Sequence, residues 1–128
     1  MPHVIVEYST NIEPALSPRA VLEEVHAAVL ATGVFKLAAI RTRAEPRDLY
    51  VIADGDPSHA FINVMLRIGV GRDEATKTMI VKTIMDRLAE ISALLSAKAG
   101  LNMLVEIQEI AEPALRKGNM HERFAGGA

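Results

Sequence analysis

Apolar positions in the first third of the chain predict a strand, a helix and a second strand. The nearly continuous apolar run from His3 to Tyr8, rich in β-branched residues, is typical of a buried strand. Ser17 then stands at an N-cap position, Pro18 at the first helical position, and Gly33 beyond the helix end. The apolar residues between them recur at helical spacing: Val21, Leu22, Val25, Ala28 and Val29. Leu37 to Arg43 is predicted as the second strand.

The same order of elements returns in the second half. His59 to Ile68 is strand-like, Asp73 can cap a long helix that Gly100 ends, and Leu104 to Ile110 is predicted as the last strand. One face of that helix carries Ile80, Ile84, Leu88, Ile91 and Leu95.

Turn residues between the two halves predict a connection over Ala44 to Pro57, with a short edge strand at Tyr50 to Ile52.

The repeated pattern predicts one domain over residues 1–128, with an internal duplication of about 2–43 and 59–110 and a tail at 111–128. A strand, helix, strand unit normally makes its two strands parallel. We therefore expect an α+β fold, a four-stranded sheet with both helices on one face. The other face is expected to be covered by neighbouring subunits.

Composition adds limits on partners and location. Half of the 128 residues are hydrophobic, with only two Tyr and three Phe, which indicates apolar surface buried in an oligomer. A formal charge of −2, with scattered basic residues, argues against nucleic acid. No cysteine is present, and neither a signal peptide nor a membrane-spanning apolar stretch is visible. We expect a cytoplasmic protein.

Pro2 is the first candidate for chemistry. If Met1 is removed, Pro2 becomes a secondary amine, and an α-amino group titrates at about 7.7–8.0 before its surroundings shift it. Burial or nearby cations can bring such an amine to the working pH of a general base.

Three arginines are candidates for binding anions. Strand alternation places Arg41 and Arg43 on one side of the second predicted strand, and a pair of guanidinium forks suits a substrate with several carboxylates. Arg72 follows a Gly-Val-Gly turn and leads into a helix, where the helix dipole also favours an anion.

Four segments carry a resemblance to a known family: MPHVIVEYSTNI at the start, ATGVFKLAAIRTR from Ala31 to Arg43, ADG from Ala53, and IGVGR from Ile68 to Arg72. In order and chain length they resemble the 5-carboxymethyl-2-hydroxymuconate isomerases of the tautomerase superfamily.

The resemblance implies roles for the candidate residues. It makes Pro2 the catalytic base and Arg72 a contact for a substrate carboxylate, with Arg41, or alternatively Arg43, as a second substrate-binding residue. It also implies a homotrimer, a small carboxylate substrate from the breakdown of an aromatic compound, and proton transfer without a metal or other cofactor.

Two further motifs are weaker, and we reject a nucleotide site at the first and expect a surface pair, rather than a metal site, at the second. Gly69 to Glu74 begins like a dinucleotide fingerprint, but Glu74 replaces the third glycine. Glu23 and His26 share a helix face without a second metal-binding motif. The remaining alternatives are a tautomerase of another unsaturated 2-hydroxy acid and a non-catalytic trimer that binds a small ligand.

Overall fold

A computed structural model describes residues 1–124 of the chain. The strands are β1 (His3–Ser9), β2 (Arg41–Arg47), β3 (Ala60–Ile68) and β4 (Leu101–Glu109), and the helices are α1 (Pro18–Ala31), α2 (Glu74–Ile91), α3 (Ala93–Lys98) and α4 (Met120–Arg123). Two short 3₁₀ turns lie at Thr10–Ile12 and Leu37–Ala39. The Gly126-Gly127 end of the predicted tail lies outside the described residues.

The four strands form one mixed sheet in the order β2-β1-β3-β4. β1 is parallel to β2 and β3 is parallel to β4, while β1 and β3 run antiparallel at the centre. Each half is thus a strand, helix, strand unit with parallel strands, and the predicted fold class is confirmed.

The core lies between one face of the sheet and the two long helices. Alternate residues of the central strands, such as Val4 and Val64, are completely buried there, and they pack with Val25 of α1 and Ile84 of α2. The opposite face carries the other alternate residues, among them Leu104 of the edge strand β4, which is 47% exposed. No helix of the chain covers that face in residues 1–124.

The predicted helix signals are confirmed. The Ser17 hydroxyl accepts a hydrogen bond from the backbone N–H of Ala20, and the Asp73 carboxylate accepts one from Thr76. Each therefore satisfies a backbone donor that the first turn of a helix leaves without a partner. Gly33 has a φ of +74°, a left-handed conformation that favours glycine after a helix end.

The prediction of the second strand was wrong in its bounds. Residues Leu37–Ala39 form a 3₁₀ turn, closed by the N–H of Ile40 donating to the carbonyl of Leu37, and β2 begins only at Arg41. The strand then continues to Arg47, through a segment whose Pro46 predicted a turn. Pro46 is tolerated because β2 is an edge strand. The N–H that proline lacks can there be one that would point to solvent rather than to another strand.

The predicted edge strand at Tyr50 to Ile52 is also wrong. These residues are irregular, since β2 already occupies that edge of the sheet. Tyr50 instead packs its ring edge-on against Phe61, with centroids 6.3 Å apart.

The predicted second helix is interrupted. α2 ends at Ile91, and Ser92 turns its hydroxyl back to donate to the carbonyl of Leu88 before the short helix α3 begins. Such a bond competes with the regular helix pattern.

β4 starts at Leu101, three residues before the predicted position and directly after Gly100. A Cβ on Gly100 would lie 2.8 Å from Nδ1 of His59, so a larger residue at this position would have to displace the imidazole. The carbonyl of Gly100 also accepts a hydrogen bond from the N–H of Ala60, which begins the β3–β4 pairing.

The tail crosses the end of the sheet. It leaves β4 at one edge and brings α4 against the turn Leu37–Ala39, which precedes β2 at the other edge. The tail therefore passes the start of β1. In residues 1–124, no helix is both long and apolar enough to span a membrane.

Candidate active site

Pro2 lies buried immediately before β1. Its carbonyl accepts a hydrogen bond of 3.3 Å from the backbone N–H of Arg41, and His3 pairs with Arg41 in the β1–β2 register. The parallel pairing of β1 and β2 therefore places the first residues of the two strands side by side.

The amino group in this structure belongs to Met1, and arginines surround it. Burial lowers the pKa of this amine most, and the positive charges of Arg72, Arg116 and Arg41, in that order, lower it further. The Arg41 guanidinium also donates Nη1 to the Met1 sulfur over 3.0 Å. The environment therefore favours a neutral amine, which can accept a proton.

Arg72 approaches the amine from the loop between β3 and α2. Its guanidinium lies 4.9 Å from the ring centroid of Phe35, and its Nη1 donates to the carbonyl of Gly69 over 3.4 Å. A cation over an aromatic face is attracted by the ring quadrupole. The half-buried side chain is therefore held from two sides.

Arg43 lies apart from this group. It is exposed on the sheet face that no helix covers, and its Nη1 is 3.2 Å from Nδ1 of His3. The pKa of His3 is lowered first by burial and then by Arg43, Arg41, Arg67 and the amino terminus. Of the four residues singled out in the sequence, the structure brings Pro2, Arg41 and Arg72 together and places Arg43 beside His3.

A cavity of about 560 Å³ opens beside the amino terminus. Met1, His3 and Arg41 form one wall, and the tail forms the other with Leu115, Arg116, Lys117, Gly118, Met120 and His121. Within the described part of the chain, no carboxylate lines this cavity. The positive charges of its lining fit a small anionic ligand.

The sequence analysis predicted a tail at 111–128 but missed its contribution to the site. The sequence does contain a signal for this contribution, since two adjacent basic residues, Arg116 and Lys117, stand in a segment poor in apolar residues. It could not be interpreted without the path of the tail.

The rejected metal pair is occupied by other contacts. Glu23 accepts a hydrogen bond from Arg19, and Nδ1 of His26 lies 2.8 Å from the Thr42 hydroxyl. In residues 1–124 no group of three or more His, Asp or Glu side chains is placed to hold a metal ion.

A duplicated strand, helix, strand sheet with arginines around its amino terminus is the architecture expected of the family that the sequence motifs resemble. The chain belongs to the 5-carboxymethyl-2-hydroxymuconate isomerase family, whose model matches residues 2–124. The resemblance carried by the sequence motifs is thereby confirmed, and the family is one of enzymes.

Similar proteins match this chain over most of its length. The chain is 32% identical over 126 residues to 5-carboxymethyl-2-hydroxymuconate Delta-isomerase of Escherichia coli, covering 97% of this chain and 99% of that one. It superposes with a TM-score of 0.88 and 32% identity on a crystal structure of a 5-carboxymethyl-2-hydroxymuconate isomerase from Deinococcus radiodurans R1, covering 96% and 93% of the two chains. A fused 4-OT trimer shares the fold at a TM-score of 0.63 and 15% identity, covering 89% and 92%.

Proposed function

We propose that this protein is a cofactor-independent isomerase that converts 5-carboxymethyl-2-hydroxymuconate to its unsaturated ketone. The observation that carries the proposal is the cluster of Arg72 and Arg41 at the amino terminus, where the pKa of the Met1 amine is lowered by burial and by these charges; the Pro2 amine would lie one residue away from that position. A neutral amine can take a proton, and the fixed positive charges beside it can hold the carboxylates of the molecule that supplies the proton.

Removal of Met1 is part of this proposal. With Met1 attached, the Pro2 nitrogen is an amide and has no basicity near neutral pH. Its removal makes that nitrogen the terminal amine and also releases Nη1 of Arg41 from the Met1 sulfur. One cleavage thus supplies the base and frees a donor for the substrate.

The proton moves from oxygen to carbon through Pro2. The neutral nitrogen accepts the proton of the 2-hydroxyl, the electron pair left on oxygen forms the C2 carbonyl, and the two double bonds become one between C3 and C4. The electron pair at C5 then takes the proton back from the Pro2 ammonium. Atoms and charge balance without an oxidant, a metal or a covalent intermediate.

Arg41 and Arg72 bind carboxylates and stabilise the charge that develops during the transfer. A bidentate contact between a guanidinium and a carboxylate fixes orientation as well as position. The position of Arg41 beside the amine supports it, rather than Arg43, as the second substrate-binding residue. Preorganised cations of this kind supply a large part of catalysis where charge moves along a conjugated system.

We also propose a homotrimer in the cytoplasm that acts in the breakdown of an aromatic compound. The uncovered sheet face supports the assembly, because it carries buried or half-buried apolar residues such as Ile5 and Met65 between charged ones. A shared interface over this face would cover them.

The test is a turnover assay on protein from which Met1 has been removed, with mass spectrometry confirming the terminus. The dienol absorbance of 5-carboxymethyl-2-hydroxymuconate should decay faster than the spontaneous ketonisation measured without protein. Dialysis against a chelator should leave the rate unchanged. A rate equal to the spontaneous one would overturn the proposed function.

A further inference from the structure

Arg116 is the tail residue whose charge reaches furthest into the site. It lines the same cavity as Met1 and Arg41, and its charge lowers the pKa of the terminal amine more than that of Arg41 does. It comes from the segment between β4 and α4, whereas Arg41 and Arg72 come from the sheet and its loop. One wall of the cavity therefore carries a cation that comes from the tail and not from either strand, helix, strand unit.

The side chains of Arg116 and Arg72 both lie near the backbone of Gly69. A Cβ built on Gly69 would lie 3.9 Å from Nη2 of Arg116, and the Gly69 carbonyl accepts the hydrogen bond from Arg72. The two guanidinium groups thus approach the amine from the same corner. Arg41 faces it from the start of β2.

Arg116 is free to take a ligand. Its side chain is 36% exposed, and the ion pair that it forms within residues 1–124, with Glu112, is long at 3.7 Å. An exposed pair of this length contributes little to stability. A carboxylate entering the cavity therefore displaces no strong partner.

The proposed substrate carries three carboxylates, two from the muconate chain and one from the carboxymethyl branch. We propose that Arg116, together with Arg41 and Arg72, gives the cavity one arginine for each carboxylate, so that the tail selects tricarboxylates over dicarboxylates. The inference rests on the proposed function and identifies the residue that determines the specificity of that site.

Kinetics on two dienols test this selection. Arg116→Ala should lower kcat/KM for 5-carboxymethyl-2-hydroxymuconate at least about tenfold, mainly through KM, the scale expected for losing one charge-assisted contact. For 2-hydroxymuconate, which lacks the branch, the change should stay within about threefold. The values are compared on the pH plateau, where the amine is neutral in both proteins. Equal losses on both substrates, or no loss on either, would overturn the inference.

Three variants separate substrate binding from a structural role. Arg116→Lys should recover part of the lost affinity, because it restores the charge without the planar fork. Glu112→Gln removes the ion pair and should leave discrimination unchanged. Arg123→Ala removes a cation from the same tail, outside the cavity lining, and should also change nothing. A loss in Glu112→Gln equal to that in Arg116→Ala would assign Arg116 to holding the tail.

Binding of unreactive anions keeps the inference distinct from the proposed function. Calorimetry with propane-1,2,3-tricarboxylate and with glutarate measures the cavity without turnover. The tricarboxylate should bind the wild-type protein more tightly, and Arg116→Ala should abolish that preference. If the wild-type protein shows this preference but turns over neither dienol, the proposed reaction fails while the inference holds. If the preference is absent or unaffected by Arg116→Ala, the inference fails even for an active enzyme.

Discussion

The guanidinium of Arg72 lies over the ring of Phe35, 4.9 Å from its centroid. Phe35 is 7% exposed and belongs to the core, so a core residue also orients a cation at the amino terminus. The core and the candidate site are connected through this pair.

Replacing Phe35 with Leu should therefore affect turnover more than folding. The volume change is small, but a cation–π contact worth about 0.5–2 kcal/mol is lost, which predicts a decrease in kcat/KM of roughly 2- to 30-fold. Kinetics and thermal unfolding of the variant measure both effects. Phe61→Leu is the control, because its ring packs against Tyr50 and, among residues 1–124, no arginine lies over its face. Equal losses in both variants would exclude the positioning role.

Replacing Arg72 with Ala should lower kcat/KM for the tricarboxylate dienol at least about tenfold, since one charge-assisted contact is worth about 1.5–3 kcal/mol. Arg19→Ala is a matched control, since Arg19 forms only an exposed pair with Glu23 on α1. Arg47, in the predicted connection, is less suitable, because it ends β2 and pairs with Glu7 and Glu45. The same loss from Arg19→Ala would point to general destabilisation.

The same variant should shift the pH profile. Arg72 lowers the amine's pKa by disfavouring its protonated form, so its removal lets the amine keep a proton to higher pH. Because the base must be neutral, the acidic limb of kcat/KM should move toward higher pH in Arg72→Ala. Rates measured across pH 5 to 9, about the range in which amines of this kind titrate, check the direction. An unmoved limb would separate Arg72 from the amine.

Protein that retains Met1 should fold and assemble normally but show almost no isomerisation, because the Pro2 nitrogen is then an amide and Met1 occupies the cavity beside Arg41. Pro2→Ala, with Met1 removed, should keep partial activity through its primary amine. The rate of ketone formation by each form at equal concentration, with termini confirmed by mass spectrometry, measures this. Full activity of the Met1-retaining form would remove Pro2 from the mechanism.

A charge on the uncovered sheet face should break the proposed trimer. Leu104 is 47% exposed in the single chain, so Leu104→Glu costs the protomer little, but it would place a carboxylate in an interface over that face. Light scattering should show a trimer for the wild-type protein and smaller species for the variant. Leu94→Glu, on α3 and 73% exposed, should remain trimeric. A wild-type protein that is monomeric at micromolar concentration would contradict the assembly.

His3 should titrate below its ordinary value of about 6.5, and Arg43→Ala should raise its pKa, because one of the charges that lower it is lost. The direction of the pKa shift also gives the direction of its effect on the free energy of unfolding. With a lowered folded-state pKa, the unfolded chain binds the proton first as pH falls, so His3 reduces stability below about pH 6.5. NMR titration of the imidazole in both proteins measures the shift. No change in Arg43→Ala would show that Arg43 does not contribute to the lowered pKa of His3.

The duplicated order of strands and helices could be predicted from the sequence because its signals are local. Apolar period, the caps at Ser17 and Asp73, and the glycine after α1 act within a few residues, and each is found where it was predicted. The grouping of Pro2 with Arg41 and Arg72 followed from family motifs, and the roles of these residues stay predictions.

Tertiary structure decided what depends on contacts between distant segments. β2 begins at Arg41 and runs through Pro46 because β1 supplies a parallel partner along that whole length, which no local pattern in the segment reveals. Arg116 reaches the amine only because the tail crosses from the β4 edge to the β2 edge. The sequence by itself predicted the order of the four strands and the two long helices, and it singled out Pro2 as a candidate base. The boundary of β2 and the third arginine were set by hydrogen bonds and packing between residues far apart in the chain, whose free energy exists only once the sheet has formed.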